Sequence, residues 1–357
     1  MITYTISGGS PLGAVAPGWY QTAATVQVTA TDALAGVAGI EAALDGGGWQ
    51  PYTGPLTIAS GGQHTLQFQA DDQAGNRHLL SSTAFGIDTL PPRSTVWLDG
   101  GRAANGWYVT PVTVTLTTTD TGAGVATLQW RLNGGLWQSY TSPFVVTTER
   151  VNLLEYAALD KAANQEAQKF TVFSLDLQNP TSQAVVVQGR SGSNGWYVSP
   201  VTLVLDGQDL ESGLSHVEYQ LDQQPWQTAP GPIELDTEGV HHVAYRALDA
   251  SGRVDATHTL TVSIDVTPPQ IQTTLPHEII YANISLMGLY TVTDAVSQIM
   301  TMTMHLNGEP YPAAQPLRLG ENSVAISAIN GAGLLAQHTY QIFVRGGQVY
   351  LPLINNK

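Results

Sequence analysis

The 357-residue chain has no cysteine, so its cores must be held by packing alone, and neither a disulfide framework nor a thiolate metal site is available. Charge is scarce and lopsided. Only 11% of residues are charged, with 13 Lys and Arg against 28 Asp and Glu, a formal net charge of −15. That balance leaves no face rich in Lys and Arg, which makes nucleic acid and anionic membranes poor partners.

No apolar run approaches the roughly 20 residues of a membrane-spanning helix. The opening Met1-Ile2-Thr3-Tyr4-Thr5 has neither the basic nor the apolar region of a secretory leader. Catalytic signatures are missing too: there is no Gly-x-Ser-x-Gly elbow, no His-Glu-x-x-His and no phosphate loop. His241-His242 lies in a strand pattern, where neighbouring side chains face opposite ways. The expectation is a protein that is not an enzyme.

What is present is turn chemistry and repetition. The 36 Gly and 20 Pro separate short alternating apolar runs, the pattern of an all-β chain with helices scarce or absent. Gly18-Trp19-Tyr20 recurs as Gly106-Trp107-Tyr108 and Gly195-Trp196-Tyr197, offsets of 88 and 89 residues. Asp32, Asp120 and Asp209 each stand four residues before a Gly and 17 before Trp49, Trp137 and Trp226. Asp72, Asp160 and Asp249 follow in a short turn. Asp88, Asp176 and Asp265 then precede Leu90-Pro91-Pro92, Asn179-Pro180 and Thr267-Pro268-Pro269.

Those prolines divide the chain into repeats over 1–92, 93–180, 181–269 and 270–345, with an apolar tail over 346–357. The fourth copy keeps Asp294, Asn307-Gly308 and Asn330-Gly331-Ala332-Gly333 but has no Trp, as a divergent terminal unit of an array does. Within the second copy, Val112 to Thr117 alternates with period two as a half-buried strand. Leu128 to Leu132 runs into Asn133-Gly134-Gly135, a tight hairpin turn tolerant of positive φ. About seven strands per repeat predict a tandem array of four immunoglobulin-like, fibronectin III-like β-sandwiches.

Asp45-Gly46-Gly47-Gly48-Trp49, with Asp72-Gln73-Ala74-Gly75-Asn76, resembles bacterial immunoglobulin-like extracellular repeats that go under the name outer-membrane-protein-type β-barrel domain. The resemblance spans the first three copies; Ser251-Gly252-Arg253 departs from its Ala-Gly-Asn ending. It implies extracellular spacer or adhesive modules strung beside catalytic domains in secreted or cell-surface proteins, with no membrane insertion. The tail Tyr350-Leu351-Pro352-Leu353 is similar to short endings of secreted multidomain proteins.

In such a sandwich the loop after the second strand, the loop before the last strand and the start of the first share one end. The Asp closing one repeat should therefore approach two loop acids of the next. This predicts Asp88 with Asp120 and Asp160, and Asp176 with Asp209, Glu211 and Asp249, clusters that resemble the interdomain calcium sites of cadherins. Calcium takes six to eight oxygens, which clustered carboxylates and loop carbonyls supply. The competing reading is that these Asp side chains cap nearby backbone amides in Asx turns.

The Trp residues repeated in the first three copies (Trp19, Trp107 and Trp196; Trp49, Trp137 and Trp226) are expected in packing. Trp97 and Trp130 have no Trp counterpart in other copies and are the candidate exposed contacts for a glycan or protein, strand packing being the alternative. The functional expectation is a non-catalytic extracellular spacer linked to upstream domains of the same polypeptide, its leader lost upstream. The alternatives are an adhesin for a protein or polysaccharide, or the accessory region of a secreted hydrolase.

Overall fold

A computed structural model describes residues 1–8, 18–82, 84–280, 284–311 and 316–346; the apolar tail lies outside the described residues. The chain divides into two compact units, Met1–Gln178 and Asn179–Lys357. Each holds two β-sandwiches with separate cores, and the described residues contain no helix. No helix is therefore long and apolar enough to cross a membrane.

In the first sandwich, Ile2–Gly8, Ala24–Ala30 and Leu56–Ile58 form one antiparallel sheet. Gln50–Pro51, Val37–Leu44, Leu66–Asp72 and Arg77–Ser81 form the facing one. The second sandwich repeats this with Arg93–Asp99, Val112–Thr119 and Phe144–Val146 against Gln138–Ser139, Val125–Leu132, Arg150–Asp160 and Lys169–Leu175. Alternation decides the faces: Val112, Val114 and Leu116 are buried while the intervening threonines point outward.

The repeated Gly-Trp-Tyr has a topological role. Trp19–Tyr20 runs parallel to Phe85–Ile87, and Trp196–Tyr197 runs parallel to His258–Ile264, so the chain crosses from one sheet to the other. Tyr108 makes the same parallel bridge to Leu175. In the fourth sandwich Glu278–Ile279 takes this place beside Leu335–Val344 without the aromatic pair.

Unit 2 follows the same plan. In the third sandwich Thr181–Gln188, Val201–Gln208 and Ile233–Leu235 face a five-stranded sheet ordered Trp196–Tyr197, His258–Ile264, Gly239–Asp249, Leu214–Leu221, Gln227–Thr228. The fourth pairs Gln270–Thr273 with Tyr290–Thr293 over a sheet built on Gly320–Asn330 and Leu335–Val344. The strand after the loop opened by Asp32, Asp120, Asp209 or Asp294 carries a register shift in every sandwich, at Val37/Gly39, Val125/Thr127, Leu214/His216 and Ile299/Thr301.

One hairpin turn is pinned identically four times. Its first residue has positive φ: Asp45 (50°), Asn133 (53°), Asp222 (48°) and Asn307 (51°), the residue types that tolerate this region best after glycine. The side chain's Oδ1 accepts the N–H of Thr65, Leu153, His242 or Ser323 at 2.8–2.9 Å. Its other terminal atom meets His64 or His241 at 2.8 Å in the first and third sandwiches, and Asn152 or Asn322 at 2.9 Å in the second and fourth. Those partners in turn donate to the carbonyls of Ser60, Thr237, Thr148 and Arg318. Asp thus pairs with His, and Asn with Asn.

The two solutions differ in their response to pH. Burial would lower the His64 and His241 pKa, but the Asp45 and Asp222 carboxylates and the backbone carbonyls override it and raise both above the ordinary value. Asp45 is lowered, by the Thr65 N–H and then His64; Asp222 is lowered by His241 and His242 against the opposing effect of burial. The histidine contribution to stability is complete below about pH 6.5 and is lost as pH rises through the folded pKa. The aspartate contribution is present above about pH 3.9 and is lost as pH falls through the lowered value. The melting temperature should therefore fall as pH rises from about 6.5 through the raised folded values of the two histidines. Installing the Asn–Asn pair at both sites (Asp45→Asn with His64→Asn, Asp222→Asn with His241→Asn) should flatten that fall, and an unchanged slope in calorimetry would reject this account.

Candidate functional site

The acids expected at the first junction do meet inside unit 1. Asp88 follows the Phe85–Ile87 strand, Asp120 follows Val112–Thr119, and Asp160 closes Arg150–Asp160. One carboxylate oxygen from each lies within 4.8 Å of the others, with Asp88 and Asp160 buried.

Local hydrogen bonds aim each side chain. Asp120 Oδ1 accepts the N–H groups of Gly122 (3.1 Å) and Gly124 (2.6 Å), an Asx-type turn. Asp160 Oδ1 accepts the backbone N–H of Asn164, and its Oδ2 accepts Asn164 Nδ2, both at 2.7 Å. Asp88 Oδ2 crosses between sandwiches to accept the N–H of Ala123 at 2.6 Å, while Asn164 Nδ2 reaches back to the Asp88 carbonyl at 2.8 Å. A Cβ on Gly122 would fall 2.2 Å from Asp88 Oδ2, so this approach needs glycine. The capping and clustering readings are therefore compatible: each acid serves its own turn and still presents an oxygen to the shared space.

Burial raises the Asp160 pKa; Asn164 pulls it down, and the Asp88 and Asp120 charges add to the upward push. The environment thus disfavours three simultaneous negative charges unless something positive or hydrogen-donating stands between them.

Unit 2 contains that donor at the matching position. Asp265 and Asp294 occupy the places of Asp88 and Asp120, but the place of Asp160 is taken by Asn330. Its Nδ2 donates to Asp265 Oδ2 (2.9 Å), Asp294 Oδ2 (3.0 Å) and the Thr267 carbonyl (3.2 Å). Asn330 Oδ1 accepts Leu334 N–H, where unit 1 has Asn164. The sequence held a signal for both Asn164, in Asp160-Lys161-Ala162-Ala163-Asn164, and Asn330, in Asn330-Gly331-Ala332-Gly333, but their junction contacts emerge only in three dimensions.

Of the other expected acids, Asp176 closes unit 1 after Lys169–Leu175, and its Oδ1 accepts the Gln178 N–H at 3.3 Å. In unit 2, Asp209 Oδ1 accepts the N–H groups of Glu211 (3.2 Å) and Gly213 (2.6 Å). Asp249 Oδ1 accepts Ser251 Oγ and Arg253 N–H, both at 2.9 Å.

The two singular tryptophans part company. Trp97 is 70% exposed, facing out of its sheet opposite Thr115, beside a Thr95–Thr117 hydroxyl pair at 2.7 Å. Trp130, a candidate contact with strand packing as the alternative, follows the alternative. It is half-buried against the core of the second sandwich and stacked on Phe144 at 3.6 Å between centroids and 13° between planes. The repeated Trp137 and Trp226 lie over Arg131 and Arg246, which are themselves paired with Glu155 and Glu218.

The Asp–His pairs beside Ser60 and Thr237 superficially suggest an activated hydroxyl. Each ring directs Nδ1 at a carboxylate (2.8 Å) and Nε2 at a backbone carbonyl (2.8 and 2.9 Å), closer than the hydroxyls of Ser60 (3.4 Å) and Thr237 (3.2 Å), so in the protonated ring both nitrogens are engaged as donors.

No family model and no curated protein matches the chain. Among solved structures it is similar to a tetra-tandem repeat from the extending region of a large adhesion protein, with 14% identity, 95% of this chain and 98% of that one covered, and a TM-score of 0.30. It is likewise similar to a protocadherin gamma B7 fragment, with 12% identity, 92% and 99% coverage, and a TM-score of 0.32. Fibronectin(III)-like modules of Clostridium thermocellum CbhA align at 15% identity over 48% of this chain and 94% of theirs, with a TM-score of 0.24. What the chain has in its own right is an all-β architecture of tandem immunoglobulin-like sandwiches.

Proposed function

We propose that this chain is a non-catalytic, extracellular array of bacterial immunoglobulin-like repeats, of the kind its Asp-Gly-Gly-x-Trp and Asp-x-Ala-Gly-Asn signatures resemble. It links or presents other domains of a secreted or cell-surface protein. The observation that carries this reading is the built joint inside each unit. The residue closing one sandwich is hydrogen-bonded into the loops of the next, through Asp88 to Ala123 and Asn164 in unit 1 and through Asp265 to Asn330 in unit 2. Such bonds serve to fix neighbours, and a linking role needs nothing further from the chain.

The joint in unit 1 is also a calcium site in this reading. Asp88, Asp120 and Asp160 supply hard oxygen ligands, and an ion among them does for three carboxylates what the Asn330 amide does for two. Asp176, Asp209, Glu211 and Asp249 are proposed in the same capacity on the strength of the sequence repeat.

Trp97 favours a second, adhesive reading: a large aromatic ring exposed on a threonine-lined sheet face suits a glycan or protein contact. Mass and N-terminal peptide analysis of the native protein, from cells and from culture medium, tests the first reading. A larger exported species is expected, and a species confined inside cells would overturn it. Comparing the exported protein with its Trp97→Ala form for retention on the cell envelope separates the two, since a purely linking role leaves retention unchanged.

A further inference from the structure

One edge of the second sandwich is unlike its counterparts. Lys169–Leu175 is the outermost strand of its sheet, and among the described residues only Tyr108 pairs with its free side, at Leu175. The Tyr108 N–H donates to the Ser174 carbonyl, and the Tyr108 carbonyl accepts the Asp176 N–H, both at 2.8 Å. Backbone groups of successive strand residues point to alternate sides, so the N–H and C=O of Phe170 and Val172 face that same open edge. An unpaired edge of this kind is a template for another extended strand.

The side chains here are apolar where the protein otherwise places polar ones. Phe170 stands opposite Glu155; the same ladder position is Ser81 opposite Gln67 in the first sandwich, Thr259 opposite Ala244 in the third and Thr339 opposite Ala325 in the fourth. Val172 corresponds in the same way to Thr261 and Gln341. Phe170 is 72% exposed and Val172 58%, and the exposed Val151 and Leu153 on the neighbouring strand extend the same outer face. Water solvates the threonines and the glutamine, whereas covering Phe170 and Val172 gains apolar burial.

Charge points to what covers this edge. Repeat 93–180 holds seven Asp and Glu against six Lys and Arg, whereas 1–92 holds six against one and 181–269 eleven against three. In a chain of net charge −15, two copies meet with least repulsion through this nearly neutral repeat. The strand is also its own complement. Run antiparallel across a twofold axis, residues 169–173 of two copies pair with Phe170 of each beside Val172 of the other.

We propose that two copies of this chain dimerise through this edge, their second-sandwich sheets joining into one continuous sheet. Phe170, Val172, Val151 and Leu153 of both copies then share one outer face. The dimer depends on neither the calcium reading nor the export reading.

The test is sedimentation equilibrium of the full chain in chelator, from about 1 to about 200 µM. A reversible monomer–dimer equilibrium is expected. Phe170→Thr with Val172→Thr, the residues of the third sandwich, should weaken it at least about tenfold. Val172→Pro separates strand pairing from apolar contact alone. The N–H it removes faces the open edge, so the sandwich keeps its own ladder while dimerisation falls by a similar factor. A parent that stays monomeric throughout, a dimer undiminished in either folded variant, or growth beyond the dimer would overturn the proposal.

Discussion

Transplanting the unit 2 joint into unit 1, by Asp160→Asn with Asn164→Leu, is expected to abolish the calcium response of the Met1–Gln178 transition while leaving the metal-free protein at least as stable. The reasoning is electrostatic. Asp160 is fully buried and its pKa is raised, so the metal-free joint loses stability as pH rises from the ordinary carboxylate value through the folded one. An asparagine at that position carries no charge and can donate to Asp88 and Asp120 as Asn330 does to Asp265 and Asp294. Replacing Asn164 by Leu removes a second amide that would otherwise oppose the new donor.

Calcium at roughly a hundred times its dissociation constant should stabilise the parent by about 2.7 kcal/mol. For a unit of this size that is a rise of about 5–10 °C. Calorimetry with calcium and with chelator reads both quantities, and a calcium shift that survives the transplant in the unit 1 transition would remove these three acids from consideration.

The reverse exchange, Asn330→Asp with Leu334→Asn, is expected to be the more damaging. Asp265 and Asn330 are almost wholly buried, and the amide is the donor that satisfies Asp265 Oδ2 and Asp294 Oδ2 together. Exchanging it for a carboxylate deletes those hydrogen bonds and adds a buried charge beside the buried Asp265 and the half-buried Asp294, a change that costs on the order of 3 kcal/mol. The Asn179–Lys357 transition should fall by about 6–12 °C without metal. Millimolar calcium should restore much of this loss, because the exchanged joint then has the acid set of unit 1. A variant that melts like the parent in chelator would show that the amide bridge contributes nothing.

Most of the architecture was legible because it is written in short-range terms. Alternation in Val112–Thr119 puts Val112, Val114 and Leu116 on one face irrespective of what covers them. The turns at Asp45, Asn133 and Asn307 announce themselves through residues that tolerate positive φ, whereas the one at Asp222 places Gln223 there and does not. The meeting of Asp88, Asp120 and Asp160 was also legible, since it follows from which loops share an end of a sandwich. Trp130, a candidate contact with strand packing as the other reading, packs, and the reason is physical. Its absence from other copies marked it as unusual, yet Tyr219 and Met304 fill the same space with different shapes.

By itself, the sequence of this protein determined the period, the strands, their inward faces and the turns, because each depends on the conformational preferences of a few adjacent residues. Only the tertiary structure decided how the interior spaces are filled and how the buried charges are balanced. Asn330 reaches an acid 65 residues away and another 36 residues away with one amide group. Volume and charge balance belong to side chains brought together from distant strands, and the local pattern of the chain does not encode which of them will meet.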